Sequence, residues 1–333
     1  MTSDDRQRDS AVSVELSEVV TWEPENALDR FAVWADSAIR TGLRVVLVLT
    51  ALIILGVITV VTGLSAVTDP LVFSLVILSV VPALGLAVFV WYADVGADEP
   101  LSLLLATFIL GMLFAAFAAV LNTIGFSIVA LVPVGTMLLF FYLVVGPVEE
   151  GVKLLAVRLF AFRHPRFDAV IDGAVYGAVA GLGFATIENA LYITASIDVF
   201  GQPAEWIGPV GETAAVRALA GPGHVIYSAI AGYYLGMAKF NPQYAGPLVV
   251  KGITIAALIH ATYNVTVQAI PMVIVELAGV SIFTALIAFI IVYDGMAAYY
   301  LYRKLARYRH AYRTSRGSRD GGLRPELEEF DSK

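Results

Sequence analysis

Residues 136–157 read TMLLFFYLVVGPVEEGVKLLAV. The stretch is long enough to cross a hydrocarbon core, which needs about 20 predominantly apolar residues. It nevertheless carries Glu149, Glu150 and Lys153 in its second half. Because a charged group at the bilayer centre costs about 2.5 kcal/mol or more, a membrane helix that keeps three of them indicates a functional site inside the bilayer.

The composition of the whole chain agrees with a membrane protein. Of its 333 residues 59% are hydrophobic and 15% are charged, and the mean hydropathy is +0.80. A water-soluble core of ordinary shape does not bury so much apolar surface. The absence of cysteine excludes disulfides, thiol nucleophiles and zinc sites built on cysteine, and a net charge of −7 argues against nucleic acid as a partner.

Apolar runs of membrane-spanning length recur along the chain and predict an all-α, polytopic helical bundle of about eight transmembrane helices. The predicted spans are approximately 43–64, 71–92, 101–121, 135–160, 169–195, 213–238, 248–270 and 280–302. The stretch 122–134 is apolar but broken by Gly125 and Pro133. It is predicted to form an external loop or a partly re-entrant segment.

The sequence divides into three regions. They are an acidic N-terminal tail with an amphipathic interfacial helix at 1–41, a transmembrane domain at 42–303 whose core is about 135–270, and a basic then acidic C-terminal tail at 304–333. The interfacial helix is predicted to begin at Glu23-Pro24, since proline favours the first helical turn. Leu28 and Phe31 belong to its apolar face. No cleavable signal peptide is visible.

Lysine and arginine are distributed unevenly between the connections. They flank the first span, follow the fourth and sixth spans and crowd the C-terminal tail, whereas the segments 65–70, 122–134, 196–212 and 271–279 contain none. Basic segments stay in the cytoplasm. The chain is therefore predicted to be a multi-pass protein of the plasma membrane with both termini in the cytoplasm.

Ionisable side chains also occur inside three later spans. They are Asp172 and Glu188 on the fifth, Arg217 and His224 on the sixth, and His260 on the seventh. A rise of about 1.5 Å per residue places Glu150, Glu188, His224 and His260 in the middle or external half of the bilayer. Any one of them could be half of a structural pair. Four helices that each contribute one are harder to explain without function, because every buried charge weakens insertion.

Local spacing adds detail to this cluster. Lys153 follows Glu149 by four residues and Glu150 by three, so it can pair with either carboxylate. Gly146-Pro147 and Gly221-Pro222 each precede an ionisable residue by two positions, and both pairs could be the restarted ends of broken membrane helices. Free amides at such an end beside His224 could supply an oxyanion hole. A proline kink filled by packing is the alternative.

Four elements taken in order resemble the PrsW family of intramembrane proteases, which is distantly related to the CAAX prenyl proteases. The elements are Glu149-Glu150-Gly-Val-Lys153, Ile171-Asp172-Gly173 with Phe184 through Glu188-Asn189, Gly221-Pro222-Gly223-His224, and His260-Ala-Thr-Tyr-Asn264. The match covers roughly residues 135–270. The resemblance implies hydrolysis of a peptide bond in a membrane-anchored, single-span protein such as an anti-sigma factor, with the lipid bilayer as the medium.

The resemblance also implies a set of site residues. The implied catalytic residues are Glu149, Glu150, Glu188, His224, His260 and Asn264, with Lys153, Asp172, Asn189 and Arg217 in support. Glu149 or Glu150 is the expected general base. Glu188 stands where the prenyl proteases have a histidine, and it is expected to share a proton with the base or to position the water. His224 is expected to act as an acid or a second water ligand. His260 and Asn264 are expected to stabilise the oxyanion.

The resemblance favours a metal-free, glutamic mechanism with no cofactor. A zinc site built from Glu150, Glu188, His224 and His260 is the alternative, since imidazole and carboxylate are zinc ligands and the sequence contains no HExxH spacing that would decide. Two other functions remain open on the residues alone. Buried acids and histidines also form ion or proton pathways in transporters and channels, and the helices could belong to a non-catalytic membrane interaction protein.

Overall fold

The computed structural model describes residues 24, 26–61, 68–94, 99–200 and 203–317. Within them, eight helical segments correspond to the eight predicted spans. They are α1 (Ala27–Val61), α2 (Pro70–Tyr92), α3 (Leu101–Val129), α4 (136–159), α5 (Val170–Phe200), α6 (Pro203–Phe240), α7 (Ala245–Ala278) and α8 (Ile282–Gly317). Six described helices are long and apolar enough to cross a membrane. The remaining two are α4 and α6, which carry polar site residues. The predicted polytopic helical bundle is confirmed.

The chain divides into two units, Met1–Thr50 and Ala51–Lys333. In the first unit, α1 begins at Ala27 and not at Pro24 as predicted. The reason is a reciprocal cap: Asn26 Oδ1 accepts the backbone N–H of Asp29 at 2.9 Å, and Asp29 Oδ2 accepts that of Asn26 at 3.3 Å. The helix runs without interruption into the predicted first span. The predicted acidic tail at 1–20 and the acidic end of the C-terminal tail lie outside the described residues.

Helices α5 and α6 form the centre of the second unit and approach each other at glycines. A Cβ placed on Gly173 would overlap the carbonyl oxygen of Gly232, and one placed on Gly232 would overlap that of Gly173. Gly177 and Gly181 of α5 meet α6 in the same way. Small residues let helix backbones come close in a membrane, where van der Waals packing drives association. Helix α5 also packs on α2, α3 and α4, so its side chains are held rigidly.

We expect Gly173→Ala to destabilise the protein by about 1–3 kcal/mol, because the added methyl group must push two packed backbones apart. The matched control is Gly85→Ala in α2, where the added Cβ would meet no atom within 4 Å. Thermal unfolding of the two variants in the same detergent measures the difference. Equal midpoints for both variants would contradict the close packing of α5 on α6.

Helix α4 changes its geometry just before the acidic motif. It starts with the short α-helix Thr136–Leu139, continues as the π-helix Phe140–Val145 and becomes α-helical over Gly146–Leu159. The helix is therefore continuous through Gly146-Pro147. Its geometry changes from π to α there, and it does not restart after a break. Such π segments are frequent at functional sites.

Two other predictions about helix ends are wrong. Helix α6 runs unbroken through Pro222, so among the described residues no helix N-terminus with free amides lies beside His224. The alternative, a proline within a packed helix, agrees with the structure. A proline removes one intrahelical hydrogen bond, and α6 packs on both α5 and α7. Helix α3 continues to Val129, so most of the predicted loop at 122–134 is helical. Gly125 does not break α3, because it packs against Val144 of α4.

Candidate active site

Four helices bring ionisable side chains together inside the second unit. Helix α4 supplies two glutamates and a lysine, α5 supplies Glu188, α6 supplies His224, and α7 supplies His260. The members of the cluster that are at most 5% exposed are Glu149, Glu150, Lys153, His224 and His260. Charges buried this deeply require partners, and the hydrogen bonds show how each is compensated.

Glu150 is fully buried and both of its carboxylate oxygens are occupied. Its Oε1 accepts hydrogen bonds from Lys153 Nζ at 2.7 Å and from His260 Nδ1 at 2.9 Å, and its Oε2 accepts from Ser228 Oγ at 3.3 Å. The bond from His260 assigns the ring proton to Nδ1 and leaves a lone pair on Nε2. Glu150 therefore orients His260, and both of its oxygens are fully buried and engaged by protein side chains.

Glu149 is held by one oxygen only. Its Oε1 accepts a hydrogen bond from Asn122 Nδ2 at 3.0 Å, whereas its Oε2 has no hydrogen-bond partner among the described residues. This oxygen lies 3.8 Å from His260 Nε2 and 3.7 Å from Lys153 Nζ. A buried polar atom without a partner calls for a water or an ion. Glu149 Oε2 and the lone pair of His260 Nε2 therefore form the open part of the cluster.

His224 joins this cluster to Glu188. Its Nδ1 accepts a hydrogen bond from Lys153 Nζ at 2.9 Å, so the ring proton lies on Nε2, which is 2.6 Å from Glu188 Oε2. Arg217 also donates to Glu188 Oε2, at 2.7 Å, and to Asn189 Oδ1, at 2.9 Å. Glu188 is thus held between an arginine and a histidine, an arrangement that favours the ionised carboxylate.

Aromatic rings fix the two histidines. The ring of Phe184 lies 5.4 Å from that of His224 and 4.2 Å from Lys153 Nζ. The ring of Tyr227 lies 5.5 Å from that of His260, and the two imidazoles are nearly perpendicular at 5.2 Å. Rings packed in this way cannot rotate freely, so the nitrogen atoms keep their direction.

A cavity of about 780 Å³ borders the cluster. Glu149, Glu188, His224, His260 and Asn264 line its polar part, and Glu150 and Lys153 are absent from its wall. Its apolar part is lined by Ala115 and Ala119 of α3, Phe140 and Phe141 of the π-helical turn, and Ile282, Phe283 and Leu286 of α8. An apolar pocket with a few convergent polar groups is the usual form of a ligand site.

The predicted site residues are therefore brought together with one exception. Asp172 lies at the start of α5, where its Oδ2 accepts the backbone N–H groups of residues 168 and 169, and it takes no part in the cluster. The sequence prediction misses Asn122, which it places in a loop. It also misses Asp294 of α8, whose Oδ1 accepts a hydrogen bond from Tyr227 Oη at 2.6 Å. Asp294 is an acid inside a predicted span, and that signal could have identified it.

The set of residues that could hold a metal differs from the predicted zinc set. Among the described residues of the cluster, Glu149, His224 and His260 offer three ligand atoms within 4.8 Å of one another. Two imidazoles and a carboxylate match the ligand chemistry of zinc, and the unpartnered Oε2 of Glu149 fits an ion. Glu150 and Glu188 are not in this set. The oxygens of Glu150 accept hydrogen bonds from Lys153, His260 and Ser228, and Glu188 accepts from Arg217.

Comparison with known proteins gives a consistent result. Residues 99–294 match the PrsW family intramembrane metalloprotease profile. The chain is 31% identical over 191 residues to a Protease PrsW of Shouchella clausii. The aligned region covers 57% of this chain and 82% of that protein. It is 29% identical over 209 residues to the Protease PrsW of Bacillus subtilis, which covers 60% and 84%. No solved structure matches the chain.

Proposed function

The chain belongs to the PrsW family of intramembrane proteases, and from this premise we propose that it hydrolyses a peptide bond of a single-span membrane protein in the cavity beside Glu149 and His260. One observation carries the proposal: Glu149 Oε2, which has no partner among the described residues, faces His260 Nε2 at 3.8 Å on the cavity wall. Membership of this family favours a peptidase over the transporter and the non-catalytic interaction protein that the residues alone left open.

The chemistry assigned to Glu149 is general base catalysis. A water between Glu149 and His260 transfers a proton to Glu149 Oε2 while its oxygen attacks the carbonyl carbon of the substrate. The peptide C–N bond then breaks, and the proton passes from Glu149 to the leaving nitrogen. Asn264 lines the same wall and is suited to donate a hydrogen bond to the oxyanion.

Glu150 and Lys153 act as positioning residues in this mechanism. Glu150 fixes the tautomer and direction of His260 in the way that a carboxylate orients a catalytic or metal-binding histidine elsewhere. Lys153 neutralises Glu150 and contacts His224 at 2.9 Å. The buried lysine thereby holds both histidines at fixed positions relative to Glu149.

A bound metal is compatible with the same residues. Glu149, His224 and His260 would hold a zinc ion, which when bound supplies a Lewis acid and lowers the pKa of water. His224 would then have to release one of its two present hydrogen bonds, to Lys153 or to Glu188. The metal-free mechanism uses Glu149 and His260 in the positions that the structure gives them.

The substrate and the orientation are inferred from the surroundings of the site. The apolar side of the cavity is suited to a hydrophobic segment, such as the transmembrane segment of an anti-sigma-factor-like protein.

We place the protein in the plasma membrane with both termini in the cytoplasm. Lys239 Nζ in the last turn of α6 donates to the carbonyl oxygens of Phe162 and Phe167 at 2.8 and 2.6 Å. The basic end of α6 and the basic connection that follows α4 therefore lie at the same end of the bundle, in agreement with the positive-inside rule.

We expect purified protein to cleave a single-span substrate in detergent or vesicles, and His260→Ala to lower the rate by about 10²-fold because the orienting imidazole is lost. The matched control is His310→Ala, which alters an exposed histidine on α8 and should leave the rate unchanged. Cleavage by His260→Ala at the wild-type rate would refute the proposal. Loss of activity with a chelator and recovery with zinc would select the metal mechanism, and insensitivity to the chelator would select the metal-free one.

A further inference from the structure

A second group of buried carboxylates lies away from the cavity. Asp94, Glu99 and Asp172 offer three ligand atoms within 4.8 Å of one another, and their exposed fractions are 9%, 9% and 2%. They come from the connection between α2 and α3 and from the start of α5. The mechanism proposed above uses none of them.

Three acidic groups this close need compensation. Burial, together with a hydrogen bond and the charge of Asp94, raises the pKa of Glu99 above its usual range, so the pair can hold a shared proton when no cation is present. Lys239 interacts electrostatically with Asp172, but its ammonium group donates to backbone carbonyl oxygens of the α4–α5 connection. A divalent cation coordinated directly by the carboxylates is a second way to compensate charges that lie this close together.

Tyr176 gives an independent indication of a missing ligand. The side chain is fully buried, and its hydroxyl has no hydrogen-bond partner among the described residues. Tyr176 follows Asp172 by one helical turn, so both project from the same face of α5, and its phenol interacts electrostatically with Glu99 and Asp172. Buried hydroxyl groups are nearly always hydrogen-bonded. A hydrated cation among the carboxylates would provide the partner.

The carboxylates are held in place in advance of any ligand. Trp91 Nε1 donates to Glu99 Oε2 at 3.1 Å. The backbone N–H groups of Asp168 and Ala169 donate to Asp172 Oδ2 at 2.7 and 2.9 Å. Each of these carboxyl groups has a second oxygen, and groups oriented in advance lose less entropy when they coordinate an ion.

We propose that Asp94, Glu99 and Asp172, with Tyr176 beside them, form a binding site for a hard divalent cation, Mg²⁺ or Ca²⁺, which fastens the α2–α3 connection to the start of α5. Carboxylate oxygens are the ligands that both cations prefer, whereas zinc takes histidine or cysteine more readily. The proposal does not depend on peptide hydrolysis. In the predicted topology the site faces the cytoplasm.

Thermal unfolding of the purified full chain tests the proposal. After removal of divalent ions, separate titrations with Mg²⁺ and Ca²⁺ to the ~1 mM range of weak protein sites should raise the unfolding midpoint of the wild type. Glu99→Gln keeps the side chain's size and its acceptor for Trp91, and it should weaken the cation affinity at least about tenfold. Glu212→Gln, which removes an acid from the cavity wall, is the matched control and should respond like the wild type.

A terbium(III) titration gives a second readout. Terbium is a hard, oxygen-seeking ion whose emission is sensitised by a nearby indole, so Trp91 should excite terbium bound to Glu99, and Ca²⁺ or Mg²⁺ should displace it. With excitation at a wavelength that indole absorbs and phenol does not, so that Tyr176 does not contribute, Trp91→Phe should remove the emission while the midpoint still rises with the cation. The proposal is overturned if neither cation raises the midpoint of the wild type, or if Glu99→Gln responds like the wild type; a shared proton then neutralises the carboxylates. Neither outcome bears on the peptidase.

Discussion

Glu149→Gln is expected to lower the rate of peptide cleavage by about 10²–10⁴-fold, the range that a positioned general base contributes. Glutamine keeps the carbonyl oxygen that accepts the 3.0 Å hydrogen bond from Asn122, so the side chain should stay in place. It cannot accept the proton of the attacking water. The rate is measured with saturating single-span substrate, so that the loss is seen in kcat.

The control for this variant is Glu212→Gln, which makes the same chemical change on the same cavity wall. Glu212 precedes His224 on α6 by about 18 Å of helix at the usual rise per residue, so the rate should be unchanged. Wild-type cleavage by Glu149→Gln, together with loss of cleavage by Glu150→Gln, would transfer the base to Glu150 and contradict the assignment made from the free oxygen.

Lys153→Met is expected to have the largest effect on stability, about 3–5 kcal/mol, the cost of removing one partner from a buried ion pair. Lys153 Nζ is the donor to Glu150 at 2.7 Å and to His224 at 2.9 Å, and the side chain is almost fully buried. Methionine fills similar volume but leaves the carboxylate without its cation. Thermal unfolding in detergent measures the loss, and cleavage should also cease because both histidines lose their position.

A double variant separates the charge from the volume of the side chain. Lys153→Met combined with Glu150→Gln removes both members of the pair, so it should recover most of the lost stability, since neighbouring sites couple strongly. Activity should not return, because a neutral amide holds His260 less firmly than the carboxylate. If the double variant were less stable than Lys153→Met alone, the pair would not be the source of the destabilisation.

The acidic motif of α4 illustrates both the strength and the limit of sequence patterns. The cost of burying Glu149, Glu150 and Lys153 in a membrane helix is enough by itself to predict a functional site there. Spacing on one helix does not show which of the two glutamates faces the cavity. Adjacent residues point in different directions, and the partners that each one meets lie on other helices. The structure assigns Glu150 to Lys153 and His260, and leaves Glu149 facing the cavity.

The sequence prediction misses Asn122 and Asp294 for the same reason. The nearby Gly125 and Pro133 favour a loop at Asn122, yet Gly125 serves close packing against Val144. Asp294 lies on a span with no recognised motif. Both act through partners more than 25 residues away in the chain: Glu149 for Asn122 and Tyr227 for Asp294. No local pattern records such contacts.

The sequence alone determined that the chain is a membrane bundle, where its helices run and which side chains are too costly to bury without a function, because these follow from hydropathy, length and the cost of a charge in lipid. Tertiary structure decided that Glu149 Oε2 is the carboxylate oxygen without a partner among the described residues and that Glu149, His224 and His260 lie close together. It also decided that Asp172 joins Asp94 and Glu99 at the other end of α5. These depend on how helices far apart in sequence pack and rotate against one another, which periodicity within a single helix does not specify.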